Sequence, residues 1–243
     1  MTSRLQLRDV TVHLRGAPVL TGLDVDVATG QCRAVVGLNG AGKSTTLRVA
    51  LGMLTPSAGE VRILGHPIAS APREIWGQVG HLVDGPACYG ELTARENIAC
   101  SADLHGADRA RARTTTEMMA ETLGLGPWLD TPVHRLSFGT RQKVGLVSAL
   151  VHEPGLVILD EPTNGLDPLA VVAFRQLLAG VTAGGGSVLI TSHHFDELAR
   201  VTNTVDVLHR GRVITSLRPD GSDLERTFFD TILAADRDRV STP

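Results

Sequence analysis

Aromatic side chains are scarce: two Trp, one Tyr and five Phe make up 3% of 243 residues. The core must therefore be built mainly from Val, Leu, Ile and Ala. Cysteine is scarce as well. Cys32, Cys88 and Cys100 are odd in number and form no C-x-x-C pair, which excludes a disulfide framework and predicts reduced, buried thiols in a cytosolic compartment. Neither sign of charge is in excess. The 23 Lys and Arg against 26 Asp and Glu leave a net charge of −3, so no basic face points to nucleic acid. No apolar run approaches the ~18 residues of a membrane span, and no N-terminal stretch has the charged-then-apolar order of a signal peptide. The expectation is a cytoplasmic chain that can still dock on a membrane protein. Nine histidines are scattered without H-E-x-x-H spacing, which argues against a zinc centre. Repeats and low-complexity tracts are missing too. What remains, 42% hydrophobic and 20% charged, is an ordinary globular composition with room for one large domain or a core with an inserted subdomain.

The stretch that organises the chain is Gly37-Leu38-Asn39-Gly40-Ala41-Gly42-Lys43-Ser44-Thr45. It follows the apolar run Cys32 to Val36 and opens a helical pattern through Leu47, Val49, Ala50 and Leu51. Strand, glycine loop, Lys-Ser and helix together form the context of a phosphate-binding P-loop. The glycines let backbone N–H groups converge on one anion. The helix start near Lys43 adds its own N–H groups and the positive end of its dipole. Lys43 then faces the outer phosphates and the Ser44 hydroxyl takes a place on Mg²⁺. A glycine-rich turn without a ligand is the bland alternative. The loop implies a nucleoside triphosphate and leaves its use open.

Read in order, the chain begins with two half-buried strands, Leu5 to Val12 and Leu23 to Val27, before Thr29-Gly30 turns into the strand that feeds the loop. Short strands are expected at Glu60 to Leu64 and Val79 to Val83, grouped with the antiparallel material. Beyond Asp84 the composition turns helical: Glu96 to Leu104, Arg109 to Leu123, and a third helix opening at Ser137 and ending before Glu153-Pro154. Pro86 to His152 thus reads as a helical insertion. Strands return at Leu156 to Leu159, Ser187 to Thr191 and Val205 to Leu208, separated by helices, which predicts parallel pairing. In the tail, Leu224, Phe228, Phe229, Ile232 and Leu233 have helical spacing and should pack.

The second chemical signal is Leu156-Val157-Ile158-Leu159-Asp160-Glu161. Two carboxylates at the end of an apolar strand are costly without a partner, and Mg²⁺ would supply one. Asp160 would hold the ion as a Walker-B aspartate does, and Glu161 would polarise the attacking water. A solvated acidic pair at a strand end is the other reading.

Four motifs in order carry a resemblance. Leu136-Ser137-Phe138-Gly139-Thr140-Arg141-Gln142-Lys143 resembles the signature of the ATP-binding-cassette (ABC) family, and it stands just upstream of the Walker-B strand. Asp160-Glu161-Pro162-Thr163-Asn164-Gly165-Leu166-Asp167 is similar to that family's Walker B running into its D-loop. Thr191-Ser192-His193, with Glu197, resembles its switch-histidine motif. With the P-loop, these cover most of the chain. The fold class this implies is α/β: a P-loop NTPase core with an antiparallel β subdomain and an inserted α-helical subdomain. The expected divisions are 1–84 and 153–220 for the core, 85–152 for the helical signature subdomain and 221–243 for a helical tail.

The resemblance further implies ATP and Mg²⁺ as ligands and a head-to-tail dimer with two ATP molecules between its halves. Ser137, Phe138 and Gly139 would then face the nucleotide held by the other copy, although Ser137 would cap its helix in any case. His193 would contact the γ-phosphate and orient the water with Glu161, while His194 is a helix-start residue without chemistry. Asp167 would sit at the subunit interface, or cap the helix that starts at Pro168.

Three departures from the family pattern stand out. Asp84 takes the place of a glutamine that senses Mg²⁺ and water; it could reach the ion through a water, and otherwise would repel Asp160 and Glu161. Phe138 replaces a signature glycine and puts an apolar ring at the dimer interface. Leu14 stands near the aromatic that stacks on adenine and lacks a π-face. Gly85 to Asn97 also resembles the bacitracin-resistance and lantibiotic-immunity cassettes, where this surface receives a helix of the permease. Tyr89 and Leu92 would be the apolar contacts, or else internal packing. The function implied is the ATP-hydrolysing subunit of an antibiotic or drug exporter, peripheral on the inner face of the membrane and bound to an integral-membrane permease. The alternative is a non-transport or regulatory ABC-type ATPase that binds ATP with little turnover.

Overall fold

The computed structural model describes residues 2–221 and 223–240. The chain opens with β1 (Ser3–Leu14) and β2 (Ala17–Ala28), antiparallel partners joined through Arg15 and Gly16. Both turn residues have positive φ, 52° and 83°, the geometry that matches the twist of a two-residue hairpin. β3 (Cys32–Val36) leads through the phosphate loop into α1 (Lys43–Ala50), and β4 (Ala58–Ile63) and β5 (His66–Pro67) follow. β6 (Val79–Leu82) precedes three helices, α2 (Ala94–Leu104), α3 (Arg109–Thr122) and α4 (Phe138–Leu150). Then come β7 (Leu156–Asp160), α5 (Pro168–Ala183), β8 (Ser187–Thr191), α6 (Phe195–Val201), β9 (Thr204–His209), β10 (Arg212–Leu217) and α7 (Leu224–Val240).

Two sheets result. The first is antiparallel with the order β2-β1-β4-β5, and the second has the order β10-β9-β3-β8-β7-β6. Its inner pairs are parallel, and β10 is antiparallel to β9. All of β8 and the first four residues of β7 are buried, as continuous apolar runs covered on both faces should be. Alternate residues serve opposite faces. Val35, Ile158, Leu189 and Leu208 join Leu5, Leu7, Leu23, Val25 and Leu47 between the two sheets. Val36, Val157, Leu159, Val188 and Ile190 face the other way, onto Ile98, Leu146, Leu150, Phe174 and Leu178 of the helices.

The helices start where the sequence offers caps. Thr93 and Glu96 form a reciprocal capping box on α2, and the side chains of Asp108, Ser137 and Asp167 accept from the third backbone N–H of α3, α4 and α5.

Four expectations need correction. β6 belongs to the parallel sheet, beside β7, because the crossover after β5 carries the chain over to it; grouping it with the antiparallel strands followed sequence order alone. β10 was not anticipated. Its signal is the Arg210-Gly211 turn, both residues at positive φ, ahead of a short apolar stretch. In α7, Leu224, Phe228 and Ile232 are buried while Phe229 and Leu233 are exposed, since only the stripe at four-residue spacing faces the core. Cys32 is buried, and burial pushes its thiol up to about 12, but Cys88 and Cys100 are only half-buried.

Candidate nucleotide site

The loop between β3 and α1 is shaped by close packing as much as by glycine flexibility. A Cβ on Gly37 would stand 2.4 Å from the Leu208 carbonyl, and one on Gly42 2.7 Å from the Leu20 side chain. Gly40 meets no such neighbour and serves through its φ of 79°. The turn between β9 and β10 braces the loop from outside: Gly211 donates its N–H to Ala41 and its carbonyl accepts from Thr21. Lys43 folds back so that Nζ donates to the Gly37 carbonyl at 2.8 Å.

An open cleft of about 580 Å³ lies against this loop, walled by Asn39, Gly40, Gly42, Lys43, Ser44 and Thr45 on one side and by Asp84, Asp160, Glu161 and Asn164 on the other. Gly37, Leu38 and Ala41 stay outside its lining, Ala41 buried and Leu38 turned outward. Parallel pairing of β7 with β8 sets Asp160 beside Thr191. The Thr191 hydroxyl donates to Asp160 Oδ1 at 2.5 Å and also accepts from the Glu161 N–H at 3.1 Å. This leaves Asp160 Oδ2 for a ligand. Glu161 has a φ of 46°, a left-handed conformation uncommon outside glycine, which turns its side chain away from the strand line. Its Oε2 lies 2.8 Å from His193 Nδ1 and accepts the His193 N–H at 3.3 Å. His194 is the N-cap residue of α6, without a side-chain capping bond, and its ring leans on that of His193 at 4.0 Å.

The signature segment lies at the start of α4. Ser137 is exposed, with its hydroxyl accepting from the Thr140 N–H at 3.1 Å. Neither Ser137 nor Gly139 lines the cleft of its own chain, whereas Phe138 and Gln142 do. Gly139 is fixed by contact, since a Cβ there would meet the Gly165 carbonyl at 2.1 Å. Asp167 caps α5 by accepting from Ala170 and pairs with Lys143 Nζ at 2.7 Å. The Lys143 ammonium, helped by the Ala170 N–H, holds its carboxyl below the usual range.

The ABC transporter domain pattern matches residues 20–164, more than half the chain. The chain belongs to the ABC transporter family. The cassette is 32% identical over 218 residues to the bacitracin transport ATP-binding protein BcrA of Bacillus licheniformis, covering 89% of this chain and 70% of that one. It is 33% identical over 219 residues to the Nod factor export ATP-binding protein I of Cupriavidus metallidurans (strain ATCC 43123 / DSM 2839 / NBRC 102507 / CH34), covering 90% and 72%. A solved ATP-binding subunit of an ABC transporter superposes with a TM-score of 0.85 at 30% identity, covering 95% of this chain and 98% of that one. A dimeric ATP-binding cassette in a post-hydrolysis state, bound to ADP and Pi, shares the fold with a TM-score of 0.80 at 21% identity, over 90% and 100% of the two chains. The family places the cassette among ABC ATPases, with the α/β fold expected from its motifs.

Within the cassette, three expected site residues behave differently from their reading in sequence. Leu14 lies at the end of β1, 36% exposed, and the cleft wall on that side is Val19 of β2. The two are close in the hairpin, and register alone decides which one lines the cleft. Asp84 lines the cleft but does not stand as an unbalanced charge. Arg48 of α1 grips it with Nε at 3.0 Å and Nη2 at 2.6 Å, so the expected repulsion toward Asp160 and Glu161 is offset. Phe138 is 53% exposed and its ring covers Gly165, where a Cβ would come within 2.5 Å of it. The aromatic therefore lies at the mouth of its own cleft as well as on the outer surface.

Sequence reasoning missed Arg48 and gave no role of their own to Thr191 and Gln142, which stood inside the motifs it quoted. Gln142 is buried and donates Nε2 to the Pro162 carbonyl at 3.1 Å, tying the signature helix to the turn after Glu161. Nothing in their spacing marks these contacts, which cross between separate elements. For Mg²⁺, the donors at hand are the Ser44 hydroxyl and the Asp160 carboxylate, both on the cleft. An all-oxygen pair of this kind fits a hard cation that keeps several waters and shares phosphate oxygens.

Proposed function

We propose that the cassette is the ATP-hydrolysing subunit of an export system, driving an antibiotic, peptide or other drug-like substrate through a separate integral-membrane permease from the cytoplasmic side. The observation that carries this reading is the Glu161–His193 contact of 2.8 Å at the wall of the phosphate-loop cleft. Glu161 is the general base: it accepts a proton from the water that attacks the γ-phosphorus, as the bond to ADP breaks. His193, with Nδ1 spent on Glu161, keeps Nε2 for the γ-phosphate and holds the carboxylate toward the water. Gly37 to Thr45 cradle the phosphates, with Lys43 leaving the Gly37 carbonyl for them. Ser44 and Asp160 hold Mg²⁺, which spreads the negative charge of the phosphates when bound. Val19, on the cleft wall, gives an apolar surface for the base.

The site is completed by a second copy placed head to tail. Ser137 and Gly139 at the start of α4 bring free N–H groups and a hydroxyl to the γ-phosphate of the facing subunit, and Asp167 lies at the same interface. Supporting this is the exposure of Ser137, which does not line the cleft of its own chain. The permease contact is the apolar groove of about 710 Å³ lined by Tyr89, Leu92, Cys100 and Leu104, in which Tyr89 is 65% and Leu104 79% exposed. Export, rather than import, is supported by the relative concerned with Nod factor export. Among the described residues no helix is long and apolar enough to cross a membrane, in keeping with a separate permease.

Glu161→Gln tests the assignment. The variant should dimerise with MgATP on a sizing column while phosphate release falls at least ~100-fold, the usual scale for losing a general base. Undiminished turnover in that variant would remove the role of Glu161. A wild-type chain that binds ATP but releases no phosphate, alone or with its permease, would favour the regulatory reading instead.

A further inference from the structure

Three carboxylates, Asp84, Asp160 and Glu161, line a cleft in which Lys43 is the one cationic side chain among the described residues. A polyphosphate entering such a site meets repulsion unless the acids are balanced. Arg48 stands behind the wall. It lies four residues past Ser44 on α1, on the same helix face, and does not line the cleft. Both Nε and Nη2 are engaged by the two oxygens of Asp84, at 3.0 and 2.6 Å. Asp84 and Gly85 hold left-handed φ values of 63° and 92°, so the backbone here is turned to present the acid. The Arg48 guanidinium is stabilised first by its bond to Asp84 and also by the field of Asp160. It thus serves two of the three acids from one position.

We propose that Arg48 is a positioning residue of the nucleotide site, a resident counter-cation whose planar fork holds the Asp84 carboxylate on the cleft wall and keeps its charge off the phosphates. This rests on the ATP-binding reading above and explains how an acid is tolerated in place of glutamine at this position. Arg48 acts through Asp84 and does not touch nucleotide. Lysine would be a poor substitute, because it cannot engage both carboxylate oxygens in one plane.

A double-mutant cycle on the full chain decides the matter, with the affinity for a fluorescent N-methylanthraniloyl ATP measured in EDTA and again in Mg²⁺. Arg48→Gln should weaken binding about fivefold in EDTA, the scale of one like charge facing a phosphate from a half-exposed position. In an Asp84→Asn background the penalty for Arg48→Gln should shrink to less than about twofold, because the acid that the guanidinium balances is gone. Binding retained in the double variant also demonstrates that loss of Arg48 leaves the fold intact. An equal penalty for Arg48→Gln in both backgrounds would overturn the proposal, because the arginine would then act on nucleotide directly. Wild-type affinity in the single Arg48→Gln variant would overturn it as well. A wild-type chain that bound no nucleotide would overturn the ATP-binding reading itself.

Discussion

Thr191 is the residue on which the chemistry of the cleft depends without belonging to any phosphate contact. Fully buried at the end of β8, it gives its hydroxyl proton to Asp160 and accepts the Glu161 N–H. Thr191→Val keeps the shape and removes both bonds. The Glu161 N–H keeps the Thr191 carbonyl at 3.1 Å, so the loss should cost about 1.5–3 kcal/mol of stability, the range for one hydrogen bond to a charged group. With Asp160 no longer aimed, the Mg²⁺ concentration at half-maximal ATPase should rise several-fold; titrating Mg²⁺ at saturating ATP measures it. An unchanged Mg²⁺ requirement would mean that Asp160 needs no such support. At this scale the sequence was legible where backbone chemistry is local. The glycines, Lys43 and Ser44 of the loop announce themselves by spacing. Arg48 and Thr191 do not, since an arginine on an eight-residue helix and a threonine ending a strand acquire partners only across elements.

Helix caps separate structural from functional duties at the scale of elements. Thr93 and Ser137 are both N-caps whose side-chain oxygen accepts a backbone N–H three residues on, at 3.2 and 3.1 Å. Alanine at either should cost about 1 kcal/mol, read from urea unfolding. Their effects on turnover should differ. Thr93→Ala is expected to leave ATPase activity within about twofold, whereas Ser137→Ala should lower it well beyond what a cap explains, because in the proposed head-to-tail dimer the start of α4 meets the facing nucleotide. Equal activity losses would reduce Ser137 to a cap. Ser137 and Asp167 were readable as caps in sequence, as were the parallel strands β7, β8 and β9; Thr93 was not, since its helix reads from Glu96 and begins at Ala94. The sheet membership of β6 was not. A four-residue strand carries no signal for which neighbour it will meet, and β10 depends on a turn whose partner strand precedes it.

For the molecule as a whole, the junction between the helical insertion and the core is sensitive to acid. His152, after α4, stacks on His105, after α2, with centroids 3.9 Å apart and planes within 13°. Burial, and then the neighbouring His105, lower its pKa to about 4, while its contact with the Val79 carbonyl works the other way. His81 of β6 is lowered too, by burial and by His105. The unfolded chain thus takes up a proton at His152 near its ordinary 6.5 while the folded chain resists it down to about 4. Stability must therefore rise with pH through that window and fall as pH drops from about 6.5 toward 4. The full loss is on the order of 3 kcal/mol, complete only below pH 4, and about 2 kcal/mol of it falls between pH 7 and pH 4.5. His152→Gln should remove this contribution, so the stability gap between variant and wild type should shift by that amount between pH 7 and pH 4.5 in urea titrations. Parallel curves would show that His152 is protonated in the fold without penalty.

Sequence by itself determined the nucleotide chemistry and the class of fold. Phosphate loops, strand-end carboxylates and helix caps are written in adjacent residues, whose backbone geometry is local. Tertiary structure decided how those parts are balanced. Parallel pairing of β7 with β8 set Thr191 beside Asp160, and helix α1 delivered Arg48 to Asp84. These are contacts between segments far apart in the chain, and their energies depend on distance and burial that no spacing of letters encodes.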